Sequence, residues 1–286
     1  MVIPSFEGLR VLSLESRRSS EMATLIENYG GNPVSAPALR EVPIESNTDA
    51  LAFAGALTRG DIDLVILLTG VGTRALISMI EKVGDRAAFV AALARTRIAA
   101  RGPKPVAALR EVGLAPWVVA LEPNTWRELL GALDEKRSEF ALAGARVAVQ
   151  EYGASNPQLL DGLRERGALV TRVPVYRYGL PDNTEPLQDA ARAVAEGRID
   201  VALFTTSMQV VHLLAIAREH HLEQRVRDGL GAIAVASIGP TTSEELREQG
   251  ITIDIEASHP KMGFLVREAA ERSSEILRRK RAGAGK

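Results

Sequence analysis

Four short turns carry the residue types that could hold an anion. They are Leu68-Thr69-Gly70-Val71-Gly72-Thr73, Arg101-Gly102-Pro103-Lys104-Pro105, Thr205-Thr206-Ser207-Met208 and Ile238-Gly239-Pro240-Thr241-Thr242. Each follows an apolar, β-branched run and opens a stretch of helical periodicity. In open parallel sheets, ligands sit beyond the carboxyl ends of the strands, where helix N-termini present unbonded N–H groups. Small residues there let a ligand approach the backbone, and hydroxyls add donors. A purely structural use of each turn competes with this reading. Gly-Pro starts helices well in any protein, because proline is shaped for the first turn. Thr241 with Glu244, or Thr242 with Glu245, fits a capping box. Four such turns on one edge of their sheets favour a shared anionic ligand, while capping alone stays open at each turn taken singly. Gly70-x-Gly72 is no dinucleotide fingerprint, lacking the third glycine and the later acidic partner.

Other catalytic chemistry is sparse. Of the histidines, His212 lies in an apolar helical stretch and reads as packing. His220 and His221 follow Arg218-Glu219 at a helix end, where a cation suits the dipole. His259 stands alone before Pro260, and none has a partner at metal-ligand spacing. There is no nucleophile elbow and no phosphate-binding Walker loop. Two tyrosines remain. Tyr176 lies in Val173-Pro174-Val175-Tyr176-Arg177-Tyr178-Gly179, at the end of a strand where the chain leaves one unit; the alternative is a partly buried linker residue. Tyr152 follows the strand 146–149, at a loop with Gly153 and Ser155.

The elements that must position these residues alternate. Strands are expected at 10–14, 34–38, 63–68, 97–100 and 117–121, with helices at 19–29, ending at Gly30-Gly31, and from about Thr73 to Lys82. Such alternation implies parallel sheets with right-handed crossovers. The second half repeats the first. Gly60-x-Ile62-Asp63 recurs as Gly197-x-Ile199-Asp200, and Gly102-Pro103 as Gly239-Pro240. Leu109-Arg110-Glu111-x-Gly113 recurs as Leu246-Arg247-Glu248-x-Gly250, and Pro37 recurs as Pro174. Each pair is separated by 137 positions. One shared offset over so long a stretch marks a tandem duplication of an α/β unit.

Composition narrows the functional classes. The net charge of −1 gives no reason to expect nucleic acid or an anionic membrane as partner. With no cysteine, disulfides, thiolate metal sites and a cysteine nucleophile are excluded, in keeping with a cytoplasmic setting. The N-terminal residues lack the order of a signal peptide, and no apolar run approaches the roughly 18 residues that span a bilayer. Arg278-Arg279-Lys280-Arg281 reads as a frayed, solvated helix end.

Several runs together resemble the uroporphyrinogen-III synthase family. They are Phe204-Thr205-Thr206-Ser207-Met208-x-Val210, then Ala236-Ser237-Ile238-Gly239-Pro240-Thr241-Thr242 leading to Leu246 and Gly250, then Glu256-Ala257-x-x-Pro260, and Val173-Pro174-Val175-Tyr176-x-Tyr178. The resemblance runs from about Arg10 to Ala270. The family's first-repeat turn usually reads Thr-Ser-x-Asn, where this chain has Leu68-Thr69-Gly70-Val71.

The resemblance implies two similar domains, each a parallel five-stranded, flavodoxin-like sheet flanked by helices. Residues 1–40 plus 179–270 would form one, 43–174 the other and 271–286 a basic tail, with Arg40–Pro43 and Tyr176–Pro181 as paired linkers. It further implies a monomeric, cofactor-free cyclising hydro-lyase of tetrapyrrole biosynthesis, acting in the cleft between the domains. Its substrate would be hydroxymethylbilane, four linked pyrroles bearing eight carboxylates. Tyr176 would assist departure of the hydroxyl. Substrate contacts would come from Arg17, Thr69, Gly70, Arg101, Gly102, Lys104, Tyr152, Gly153, Thr205, Thr206, Ser207, Met208, Gly239, Pro240, Thr241 and Thr242. A non-catalytic ligand-sensing protein of two α/β domains is the rival reading; it is expected to bring a DNA-binding domain or an export signal, and neither is expected here.

Overall fold

A computed structural model describes residues 4–44, 48–153 and 155–283. In chain order the first elements are β1 (Arg10–Ser13), α1 (Ser19–Asn28), β2 (Asn32–Ser35), β3 (Arg40–Pro43), α2 (Thr48–Arg59), β4 (Leu64–Leu67), α3 (Gly70–Val83) and α4 (Arg86–Arg95). Next come β5 (Arg97–Ala100), α5 (Pro103–Arg110), β6 (Val118–Val119), α6 (Trp126–Glu135), β7 (Arg146–Gly153), α7 (Pro157–Glu165) and β8 (Leu169–Gly179). The last are α8 (Glu185–Ala195), β9 (Val201–Phe204), α9 (Ser207–Glu219), α10 (Glu223–Ala232), β10 (Ala234–Ser237), α11 (Pro240–Glu248), β11 (Ile255–Glu256) and α12 (Met262–Gly283).

The chain forms two compact units. Unit 1 takes the residues up to Arg40 and those from Gly179 onward, and unit 2 is Glu41–Tyr178. The sheet of unit 1 runs β2-β1-β9-β10-β11, and β1-β2, β1-β9, β9-β10 and β10-β11 are parallel pairs. The sheet of unit 2 runs β3-β8-β7-β4-β5-β6, with parallel pairing from β8 through β6. Unit 2 thus has six strands, not five. The additional strand is β3, the segment through which the chain enters unit 2, and it lies on the sheet edge beside β8.

Helices cover both faces of each sheet. In unit 1 one face carries α8 to α11 through Leu187, Leu213, Leu230 and Leu246; the other carries α1 and α12 through Met22, Ile26 and Leu265. In unit 2, α2 to α5 cover one face through Phe53, Leu76, Phe89 and Leu109, while α6 and α7 cover the other through Leu129 and Leu159. Burial on both faces explains why β4 (LVIL) and β9 (VALF) are apolar at every position.

Local boundaries depart from expectation where turn chemistry decides them. Helix α3 starts at Gly70, because the Thr69 hydroxyl accepts the Gly72 N–H at 3.0 Å and so caps it there. The strand expected at 117–121 is only Val118–Val119. The basic C-terminal segment is no frayed end. It continues α12, buries Ile276 and Leu277, and places Lys280 against the Ile233 carbonyl and Asp254 at 2.6 and 2.7 Å. None of the described helices is long and apolar enough to cross a membrane.

Candidate functional site

In unit 2 the fully buried β4 delivers the chain to Thr69, which is extended (φ −145°, ψ 147°) and turns it into α3. β5 delivers Arg101 in the same way; its backbone N–H bonds to the Leu67 carbonyl at 3.0 Å, locking the two turns side by side. Glycine is required at both. A Cβ on Gly70 would lie 2.4 Å from the Lys104 carbonyl oxygen, and one on Gly102 would lie 2.8 Å from the Asn124 side chain. The first turns of α3 and α5 therefore touch through backbone. Pro103 occupies the first position of α5, as the sequence indicated.

Two cations stand on the α5 turn. Arg101 is half-buried and Lys104 exposed, and neither has a carboxylate at ion-pair distance among the described residues. Other arginines of unit 2 are paired, as Arg74 is with Glu111 and Arg166 with Asp134. Burial without such a partner holds the Arg101 guanidinium below the ordinary arginine value, and the charge interaction with Tyr178 opposes that only in part. A desolvated cation with no counter-ion is arranged to receive an anion.

β7 closes this edge. It runs through Gly153, so Tyr152 lies in a strand, not the expected loop; the Tyr152 side chain lies outside the described residues. Gly153 has φ +75°, and a Cβ there would sit 2.1 Å from the Tyr178 ring. The glycine thus makes the space that the ring fills. Glu151 is 3% exposed and accepts from Ser155 Oγ at 2.7 Å and Arg172 Nε at 2.8 Å.

Tyr176 is placed differently from expectation. It lies inside β8 at 7% exposure, packed in the core of unit 2 and edge-on to Tyr178 with ring centroids 5.8 Å apart. The linker expected at Tyr176–Pro181 is therefore corrected: β8 continues to Gly179, and Val173, Val175 and Tyr176 all reach the core.

Unit 1 builds the equivalent edge from hydroxyls. Thr206 is extended ahead of α9 and forms a capping box with Gln209. Thr205 Oγ donates to Glu15 at 2.6 Å and accepts from Gln209 Nε2 at 2.8 Å. Gln209 Oε1 accepts the N–H groups of Thr205 and Thr206 at 2.7 and 3.3 Å. Ser207 and Met208 occupy the first turn of α9. At α11, Gly239 precedes Pro240, and the buried Ser237 hydroxyl accepts from Gly239 N–H at 3.2 Å and from Ser243 Oγ at 2.9 Å. No side chain caps α11, so the expected capping box at Thr241 or Thr242 is absent; Thr242 is buried within the helix. Arg17 is exposed between β1 and α1.

Within each unit, then, the structure gathers the sequence-derived residues along one sheet edge: Thr69, Gly70, Arg101, Gly102, Lys104 and Gly153 in unit 2, and the Thr205–Met208 and Gly239–Thr242 turns in unit 1. Sequence reasoning missed Glu15, Gln209, Gln150, Glu151 and Tyr178. The missed signal was a repeat offset of 136 in β1 and β7, one short of 137, which sets Glu15 against Glu151. His212 is 8% exposed, with Nδ1 2.7 Å from the Ala38 carbonyl. Among the described residues no group of three or more His, Asp or Glu could hold a metal ion.

The family described as uroporphyrinogen-III synthase HemD matches residues 20–267. An uncharacterized protein of Bacillus subtilis, YjjA, is 32% identical over 270 residues, covering 92% of this chain and 96% of its own. A putative uroporphyrinogen-III synthase of Methanothermobacter thermautotrophicus is 31% identical over 238 residues, covering 82% and 87%. A solved uroporphyrinogen III synthase from Thermus thermophilus superposes with a TM-score of 0.73 at 27% identity, covering 94% of this chain and all of that one. With a match across most of its length and an α/β fold of the same kind, the chain belongs to the uroporphyrinogen-III synthase family.

Proposed function

We propose that the protein is a uroporphyrinogen-III synthase, a cyclising hydro-lyase that converts hydroxymethylbilane to uroporphyrinogen III. Beyond family membership, the observation that carries this reading is the unpaired Arg101 and Lys104 at the first turn of α5, beside the first turn of α3. A substrate with eight carboxylates needs many anion contacts, and helix N-termini supply them at about 0.3–1 kcal/mol each. The hydroxyls of Thr206, Ser207 and Thr241 extend the same chemistry in unit 1.

In the reaction, the C–O bond of the hydroxymethyl group breaks with its electron pair going to oxygen. The pyrrole nitrogen supplies the pair that forms the exocyclic double bond and loses its N–H proton, so one water leaves in sum. The resulting azafulvene is attacked by the substituted carbon of ring D, giving a spiro intermediate that rearranges with ring D inverted and then closes. The bilane also closes unaided, with ring D uninverted, so the protein's task is to hold one geometry. No metal or nucleotide enters this scheme. Tyr176 is the proposed proton donor to the departing oxygen.

The strand order β2-β1-β9-β10-β11, matched by β8-β7-β4-β5-β6, supports descent of both units from one duplicated flavodoxin-like ancestor. Freshly prepared hydroxymethylbilane and separation of the product isomers test the function; a protein that only senses a tetrapyrrole would leave the unaided isomer ratio unchanged.

A further inference from the structure

The two repeats differ at one buried carboxamide. In unit 1, Gln209 in the first turn of α9 turns its Oε1 onto the N–H groups of Thr205 and Thr206. The repeat position in unit 2 is Gly72, which has no side chain, so Leu68 and Thr69 have no such acceptor. The space is taken by a carboxamide from the neighbouring strand. A Cβ on Gly72 would lie 2.2 Å from Gln150 Nε2, so Gln150 fills that place. The β1 counterpart of Gln150, at the offset of 136, is the apolar Leu14.

Gln150 does not repeat the cap of Gln209. Its Nε2 donates to the Glu151 carbonyl at 2.7 Å, which fixes the amide orientation, and its Oε1 has no partner among the described residues. At 1% exposure Gln150 is covered in this structure, so a group reaches that acceptor only as the residues over it move. An unmet acceptor so buried is costly. Beside it lies the start of α3, where Gly72 N–H is bonded to Thr69 Oγ while Gly70 and Val71 precede the first intrahelical bond. The pair of features calls for one small group that accepts from N–H and donates to a carboxamide oxygen.

Resting on the uroporphyrinogen-III synthase reading, the chemistry of the substrate selects that group. Ionised carboxylates only accept and pyrrole N–H groups only donate, whereas the terminal hydroxyl does both. We propose that the hydroxymethyl oxygen of the substrate is held at the N-terminus of α3, its O–H donating to Gln150 Oε1 and its lone pairs facing the first-turn N–H groups. As the C–O bond breaks, charge grows on this oxygen at the positive end of the helix, where it is stabilised. Gln150 acts as an orienting residue, and Gly72 is glycine to admit it.

Three measurements on the full chain test this. First, the parent protein is assayed for the type III isomer; if none forms, the functional reading fails before the inference is reached. Second, Gln150→Leu, which installs the residue of the other repeat, should lower kcat/KM for hydroxymethylbilane by about tenfold, with no fall in melting temperature. Its inhibition constant for the analogue bearing methyl in place of hydroxymethyl should be unchanged, since that analogue has no hydroxyl to lose. Third, Gly72→Gln combined with Gln150→Leu rebuilds the arrangement of unit 1 and should restore a closed cap while leaving activity low. An active parent with an equally active Gln150→Leu variant would overturn the proposal, as would equal weakening of substrate and methyl analogue. Should the double variant fail to fold, the single variant and the analogue still decide the matter.

Discussion

Asp200 accepts three hydrogen bonds from Arg10: from its backbone N–H at 2.9 Å, from Nε at 2.8 Å and from Nη2 at 3.1 Å. The same guanidinium reaches the Gly197 carbonyl at 3.1 Å. Unit 2 repeats the pattern atom for atom, with Arg146 bonded to Asp63 through N–H, Nε and Nη2, and to the Gly60 carbonyl. Each clamp ties a strand of one sequence repeat to a strand of the other, because β1 pairs with β9 and β7 with β4. The units of the fold are therefore not the repeats of the sequence.

These clamps predict an acid-sensitive stability. Hydrogen bonds from arginine hold the Asp63 and Asp200 carboxyls below the ordinary aspartate value. A carboxyl lowered in the folded state contributes stability above its unfolded value of about 3.9, and that contribution is lost as pH falls through the folded value. Asp200→Asn should therefore lower the melting temperature at neutral pH and flatten its decline between about pH 5 and pH 2. Thermal melts across that range check it. The effect of Asp63→Asn should be smaller, because Asp63 is 34% exposed against 11% for Asp200.

Crossed-over units predict which fragments fold. Residues 41–178 contain β4 to β7, β8 up to Tyr178, and both of the cores that cover them. That fragment should melt cooperatively on its own. Residues 1–137, the sequence repeat, lack β7 and β9, the strands that β4 and β1 require as neighbours. They should show no cooperative transition in circular dichroism; a sharp melt for 1–137 and none for 41–178 would reverse the assignment.

Tyr176 separates chemistry from packing. Tyr176→Phe keeps the buried ring and should lower turnover about 10- to 100-fold while costing less stability than removal of the ring. Tyr176→Ala opens a cavity in the core of unit 2 and should cost about 3–5 kcal/mol. Turnover and melting are measured together for both. A Phe variant with full activity removes the phenol from the mechanism.

Gly70 should be intolerant of even one added carbon. Gly70→Ala drives a methyl into the Lys104 carbonyl and must part the first turns of α3 and α5. A fall in stability of about 1–3 kcal/mol is expected, with a higher KM for the bilane. Gly131→Ala, within α6 and with open space around it, is the matched control and should be silent or slightly stabilising.

Much of this fold was legible from periodicity and the 137-residue offset. The apolar run at β4 reads as a strand from the sequence, and Gly102-Pro103 and Gly239-Pro240 open α5 and α11 as read. What escaped depends on long-range contact. Nothing local in Gln150 announces that it fills the space above Gly72, 78 positions earlier in the chain, and nothing in Glu15 announces Thr205. Tyr176 misled because its neighbours Pro174 and Arg177 look like linker, whereas β8 carries its ring into the core. The basic run after Ser274 looked solvated because its anchors, Asp254 and the Ile233 carbonyl, are remote in sequence.

The central claim is catalytic control of ring D. The direct measurement supplies the full chain with freshly made hydroxymethylbilane, without added metal or nucleotide, and separates the uroporphyrinogen isomers after oxidation. The account predicts predominantly type III, formed faster than the unaided closure. Type I alone, at the rate seen without protein, would contradict it.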